Sequence, residues 1–255
     1  MSGPFCVFVG FSAEDRYTIA EPIVYHLKNY GTSTWYDRQK LLLGDNRTEK
    51  NLIDGAGRST YACIIISENT KDSICAMEEF AIIGERFFRK EITVFPILYE
   101  LSPSKIPKDL YWVKDIIFKE ADRSSGTRDI CNHIACKITG DVLSTYTIKR
   151  VEDIISVSAN LLSAPIAALF YSYLQIDQSN LNGRIAILYS IFLVMTTSKK
   201  LPDNPPMHIV NCVYNRLFSE TKLNLPIDYR ELWLLENCIC ILVNQYLEDN
   251  TESKI

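Results

Sequence analysis

The sequence predicts an α/β protein: a parallel five-stranded sheet with helices on both faces, followed by a small all-α C-terminal domain. Three observations predict it. Short β-rich apolar runs alternate with helical patterns up to about residue 143. Most of those runs carry apolar residues at consecutive positions, as parallel strands covered on both faces do. After about residue 145 the alternation gives way to long apolar segments separated by turn clusters.

The runs are FCVFVGF (5–11), TSTWYD (32–37), YACIIIS (61–67), ITVFPIL (92–98) and the weaker DIIF (115–118). Between them lie helical patterns at 18–30, closed by Gly31, at 47–57, at 75–89, and at 127–139, closed by Gly140. Strand–helix alternation at this spacing makes βαβ units, whose crossovers are right-handed. In the second part, segments 148–163, 166–176, 182–198, 207–221 and 228–247 read as helices. Leu232, Leu235, Ile239, Leu242 and Val243 recur at the spacing of one helical face. The expected division is one domain over 1–143 and a helical one over 145–248, with a polar tail at 249–255.

Composition excludes several classes. Hydrophobic residues make up 47% and charged residues 23%, a globular and not a disordered balance. With 27 basic and 31 acidic residues the net charge is −4, which argues against nucleic acid as a partner. Eight cysteines contain no C-x-x-C pair and the three histidines are scattered, so no zinc signature is present. Cys6, Cys63 and Cys131 sit in apolar stretches and read as buried reduced thiols of a cytoplasmic protein. The start Met-Ser-Gly-Pro-Phe lacks the pattern of a secretory signal. The 11-residue stretch Ile185–Met195 falls short of the roughly 18–20 residues that span a bilayer, so it reads as a core helix and no membrane span is expected.

Open parallel sheets bind ligands outside the carboxyl ends of their strands. Here strand one exits at Phe11-Ser12 into Ala-Glu-Asp-Arg, strand two at Asp37, and strand three at Ser67 before a helix carrying Glu78 and Glu79. Ser12, Asp37 and Glu78 therefore converge on one edge though remote in sequence. Asp72 or Ser73 is the expected N-cap of that helix. Adjacent acids on a helix point about 100° apart, so at most one of Glu78 and Glu79 faces the crevice, and spacing alone does not choose. Gly44 suits a positive φ, and Asp45-Asn46 suit a cap for the next helix. Neither a dinucleotide-binding glycine motif nor a P-loop is present.

Four segments, in order, resemble the TIR (Toll/interleukin-1 receptor) family: CVFVGFSAEDR (6–16), WYDRQKLLLG (35–44), LIDGAGRSTYACIIIS (52–67) and SICAMEEF (73–80). The last is similar to the family's Trp-Cys-x-x-Glu-Leu segment, with Ile74 at the tryptophan position and Glu79 at the leucine. The resemblance covers the first 140 or so residues and implies a flavodoxin-like sheet. It does not extend to the C-terminal part. In enzymatic TIR domains the glutamate four residues after the tryptophan cleaves NAD at the nicotinamide–ribose bond. Counted from Ile74, it implies Glu78 as the catalytic carboxylate. By the same carry-over Phe11 and Ser12 line the ribose–nicotinamide pocket, and Asp37, Lys40 and Leu41 belong to a loop closing over it. Ile74 removes an aromatic face that could stack on a ring.

The resemblance implies an NAD+ nucleosidase that needs no cofactor beyond NAD+ as substrate. It further suggests an ADP-ribose-derived signalling nucleotide, a role in bacterial antiviral defence, a phage-derived trigger, a separate nucleotide-sensing effector, and self-association through both domains. The alternative is a non-catalytic TIR adaptor whose loop after strand two contacts partner domains. A receiver-like domain is disfavoured because strand three ends in Ser67 where a receiver needs Asp.

Overall fold

Five strands form one parallel sheet in the order β2-β1-β3-β4-β5. They are β1 (Cys6–Gly10), β2 (Ser33–Trp35), β3 (Tyr61–Ile66), β4 (Thr93–Tyr99) and β5 (Lys119–Ala121). The computed structural model describes residues 6–158, 161–198, 201–220 and 228–252. Phe5 of the first apolar run, residues 159–160, Thr221, the turn residues 223–227 and the tail beyond 252 lie outside the described residues.

Register follows the apolar runs. Phe8 stands between Trp35 on β2 and Ala62 on β3, and Ile64 opposes Pro96 on β4. All five residues of β1 and all six of β3 are buried, as strands covered on both faces require. The fifth strand is displaced from its expected place. Residues Lys108–Asp115 coil into a 3-10 helix that buries Leu110 and Val113, and the strand follows at Lys119–Ala121. It pairs with β4 on one side only, so as an edge strand it has no need of the apolar run that 115–118 offered.

Helices α1 (Glu21–Asn29), α2 (Asp37–Lys40), α3 (Ile74–Phe88) and α4 (Arg128–Leu143) connect and follow the strands. A π-helical segment, Arg16–Ala20, leads into α1, and a second, Thr48–Ala56, occupies the expected helix at 47–57. Asn46 stands just ahead of this second segment, its Oδ1 accepting from the Glu49 N–H at 3.2 Å. Gly44 does take a positive φ, 96°. Ser73 caps α3, accepting from the Ala76 N–H at 3.3 Å. The stripe Ala76, Phe80 and Ile83 then packs into a core with Phe8, Ala62, Ile64, Ile66 and Leu98. The packing is close enough that a Cβ on Gly10 would lie 2.7 Å from the Phe80 ring.

The chain divides into two compact units, 1–28 with 32–134 and 29–31 with 135–255, the main division falling within α4. Beyond that helix the second unit contains α5 (Val151–Ser158), α6 (Ala164–Gln175), α7 (Leu181–Ser198), α8 (Pro205–Glu220) and α9 (Tyr229–Glu252). Leu232, Leu235, Ile239, Leu242 and Val243 are all buried on α9. Helix α7 is long and apolar enough to cross a membrane by length and composition, with a mean hydropathy of 1.3. Its Ile185, Leu188, Ile191, Phe192 and Met195 form a buried stripe at helical spacing, with 28% of the helix buried.

Candidate active site

The order β2-β1-β3 places the reversal of strand order at β1, where open sheets form their ligand crevice. The exits of β1 and β3 are tied together there by Asp15, which is buried. Its carboxylate accepts from Ser67 Oγ at 2.5 Å and from Asn69 Nδ2 at 2.8 Å. Above this tie a cavity of about 230 Å³ opens, lined from β1 and its exit by Val9, Phe11, Ala13 and Arg16. Asp37, Leu41, Arg47 and Asn51 line it from the second connection, and Ser73, Cys75 and Glu79 from the start of α3.

One wall is cationic and aromatic. Arg16 grips Asp37 with two prongs, Nη1 to Oδ1 at 2.8 Å and Nη2 to Oδ2 at 2.7 Å. The same guanidinium donates to the Tyr36 hydroxyl at 3.3 Å and lies 5.1 Å from the Phe11 ring centroid. Phe11 and Tyr36 stack at 5.6 Å, and Tyr36 in turn donates to Glu21. The Asp37 carboxylate holds Arg16 above the ordinary guanidinium range. This lattice fixes the β2 exit against the β1 exit and leaves an arginine face on the cavity.

The opposite wall is a buried carboxyl. Glu79 is only 6% exposed, because its place on α3 flanks the apolar stripe of Ala76, Phe80 and Ile83. Its Oε1 accepts from Asn51 Nδ2 at 2.5 Å, and Asn51 Oδ1 accepts from Trp35 Nε1 at 3.2 Å. Among the described residues Oε2 has no hydrogen-bond partner. Burial pushes the Glu79 carboxyl from 4.5 up to about 8, helped by the charges of Asp37 and Glu78 and opposed by Arg47 and the Asn51 amide. A group titrating there exchanges a proton at physiological pH, the property expected of an acid–base or charge-stabilising residue.

The expected site residues divide. Phe11, Asp37 and Leu41 line the cavity. Ser12 is buried and its carbonyl accepts from the Asp15 N–H, but it is not among the lining residues. Lys40 is exposed, its Nζ 5.9 Å from the Trp35 ring centroid. Ile74 is 76% exposed and also absent from the lining. Glu78 is half exposed and pairs with Arg47 at 2.8 Å, so it holds the cavity rim without lining it. The carboxylate that the structure brings to the cavity is its neighbour, Glu79. Helix phase carries the signal that separates them. Glu78 shares the exposed side of α3 with Ala81, Glu85 and Phe88, whereas Glu79 falls three residues after Ala76 and four before Ile83. Arg16, Arg47 and Asn51 have no comparable signal, because their partners are 21 to 31 residues away. Among the described residues no group of three or more His, Cys, Asp or Glu is arranged to hold a metal ion.

Comparison with known proteins agrees with this fold. Residues 7–128 match the family model described as TIR domain. A stretch of 109 residues, 42% of the chain, is 25% identical to NAD(+) hydrolase TcpC of Escherichia coli O6:H1 and covers 35% of that protein. A stretch of 102 residues, 40% of the chain, is 33% identical to the probable 2' cyclic ADP-D-ribose synthase TcpO of Methanobrevibacter olleyae and covers 29% of it. The chain thus spans about a third of the length of these curated relatives. Among solved structures, the TIR domains of the activated Roq1 resistosome, which recognises the pathogen effector XopQ, align with 21% identity and a TM-score of 0.44. That match covers 54% of this chain and 99% of the other. The TIR domain of the Toll-related receptor TRR-2 from Hydra magnipapillata aligns with 17% identity and a TM-score of 0.41, over 52% of this chain and 96% of that one.

Proposed function

From the TIR domain that residues 7–128 form, we propose that the protein cleaves the nicotinamide–ribose bond of NAD+ with Glu79 as its catalytic carboxylate. One observation carries the reading: a buried carboxyl with one oxygen held by Asn51 and the other without a hydrogen-bond partner among the described residues, at the crevice where the strand order reverses. The relatives named NAD(+) hydrolase and cyclic ADP-ribose synthase support the substrate. The segment resemblance favours Glu79 once it is shifted by one residue. Cys75, which lines the cavity, then takes the place of the tryptophan, and Glu79-Phe80 supplies the acid followed by an apolar residue.

The chemistry needs one carboxylate. Nicotinamide is bound to ribose as a pyridinium cation and leaves as a neutral molecule, so no group has to protonate it. The C1′–N bond breaks with its electron pair going to the ring nitrogen, and positive charge develops on the sugar. A carboxylate beside the ring and the ribose hydroxyls is stabilised by the substrate's cation, which draws the Glu79 proton off below its value in the empty site. Capture of the sugar by water or another hydroxyl, whose proton passes to the Glu79 carboxylate or to solvent, or by a ring nitrogen of the same molecule completes the reaction. A cavity of about 230 Å³ is small beside the roughly 300–1,000 Å³ of pockets that enclose whole ligands. It therefore suits the nicotinamide riboside end, with the rest of the dinucleotide at the rim where Arg16 and Arg47 stand.

The wider reading places this cleavage in bacterial antiviral defence in the cytoplasm. The protein self-associates, responds to a phage-derived trigger, and releases an ADP-ribose-derived nucleotide for a separate effector. The test is nicotinamide release from NAD+ by concentrated protein, with and without infected-cell extract, and mass spectrometry of the nucleotide formed. Release above the no-enzyme control is expected. Its absence under every concentrated and triggered condition contradicts the reading and leaves the adaptor alternative.

A further inference from the structure

We propose that Asn51, itself fixed by Trp35, is a positioning residue that decides which oxygen of Glu79 is presented to the substrate. The proposal rests on the NAD-cleaving reading for its consequence, but its geometry is independent of it. An amide side chain has two ends that look alike in shape and differ in chemistry, so its orientation must be set by a neighbour that can do only one thing. Trp35 is that neighbour. An indole N–H donates and never accepts, so the Asn51 atom 3.2 Å from Trp35 Nε1 is the carbonyl oxygen. The amide nitrogen is thereby turned onto Glu79 Oε1, at 2.5 Å.

The lock is built into the packing. Asn51 is only 5% exposed, so bulk water does not compete for its amide. Trp35 is held against the π-helical segment Thr48–Ala56 that carries Asn51, so closely that a Cβ on Gly55 would lie 2.6 Å from Trp35 Nε1. The tryptophan, the asparagine and the glutamate come from three separate elements: β2, the π-helix and α3.

Two consequences follow. Because Asn51 donates whether Glu79 is charged or neutral, Oε1 is occupied in both states, and the exchangeable proton resides on Oε2. A donor to the carboxylate also favours its charged form, opposing the burial that holds Glu79 near 8. The other charged groups facing Glu79 are Arg47, which acts with Asn51, and Asp37 and Glu78, which act against it.

The experiment uses full-length Asn51→Leu and Trp35→Phe, each checked for native circular dichroism. Steady-state nicotinamide release is followed between about pH 5 and 10, and the Glu79 side-chain carbon is titrated by NMR. Asn51→Leu is expected to lower kcat about tenfold or more with KM within about threefold. The ascending limb of kcat/KM and the Glu79 titration both move upward from near 8. Trp35→Phe moves both the same way by less, because the Asn51 amide is then free to rotate. A folded Asn51→Leu protein with unchanged kcat and unchanged Glu79 titration overturns the proposal. Should Asn51→Leu not fold, an unchanged Glu79 titration in Trp35→Phe overturns it equally. A moved Glu79 titration in a protein that releases no nicotinamide supports the positioning and contradicts the NAD-cleaving reading.

Discussion

Helix α3 buries an ionisable side chain near each end, and the two ends are furnished in opposite ways. Near its C-terminus Arg86 is 8% exposed and surrounded by acceptors. Its guanidinium donates to the carbonyls of Ala56 and Ser59, both at 2.7 Å, and of Glu91 at 3.4 Å, and it faces the Glu91 carboxylate at 3.6 Å. Two turns earlier Glu79 is as deeply buried, yet it has one donor and a second oxygen with no partner among the described residues. A buried charge with every lone pair and proton matched ties loops together and has little reason to change state. A buried carboxyl left half matched costs stability and keeps a proton in play. On the proposed reading the contrast separates a structural end of the helix from a chemical one, and it lies within one element.

Breaking the chemical end has the largest expected effect. Glu79→Gln keeps the shape and the acceptor for Asn51 but not the charge. Nicotinamide release is expected to fall by about 10²–10³, roughly 3–4 kcal/mol of transition-state stabilisation. The same substitution should alter the pH dependence of stability. The folded carboxyl titrates near 8 and the unfolded one near 4.5, so the folded state holds the proton more tightly. Its contribution is fully present below 4.5 and is lost as pH rises toward 8. In chemical denaturation, the advantage of Glu79→Gln over the wild-type protein should grow by roughly 2–4 kcal/mol across that window. A constant difference across pH contradicts the buried, neutral carboxyl. Breaking the structural end acts on stability alone. Arg86→Met strips donors from buried carbonyls and should cost about 2–3 kcal/mol in urea unfolding. Nicotinamide release per folded molecule should stay within about twofold.

How much of this was legible in the sequence depends on the range of the interaction. The first four strands, the capping of α3 by Ser73, the positive φ at Gly44 and the buried face of α9 are written in local composition and period. The fifth strand lies beyond the DIIF run because an edge strand need not be apolar, while Ile116 and Phe118 of that run pack against the core ahead of it. Of the site, Asp37 could be placed from the rule that crevices form at strand exits, while Phe11 and Leu41 entered only through the resemblance to the TIR family. The pairing of Asp37 with Arg16 could not, since it joins two connections across 21 residues. The period of Ala76, Phe80 and Ile83 puts Glu79 on the buried side, whereas the segment counted from Ile74 points to Glu78. Ile74 is exposed and does not itself line the cavity, so it is a poor marker from which to count.

The most direct measurement sets Glu78→Gln beside Glu79→Gln in one assay of nicotinamide release from NAD+ at high protein concentration. Glu78 pairs with Arg47 at the rim, so its substitution is expected to leave kcat within about threefold, whereas Glu79→Gln lowers release by about 10²–10³. The reverse result, with Glu78→Gln inactive and Glu79→Gln active, contradicts the account and returns the chemistry to the exposed carboxylate.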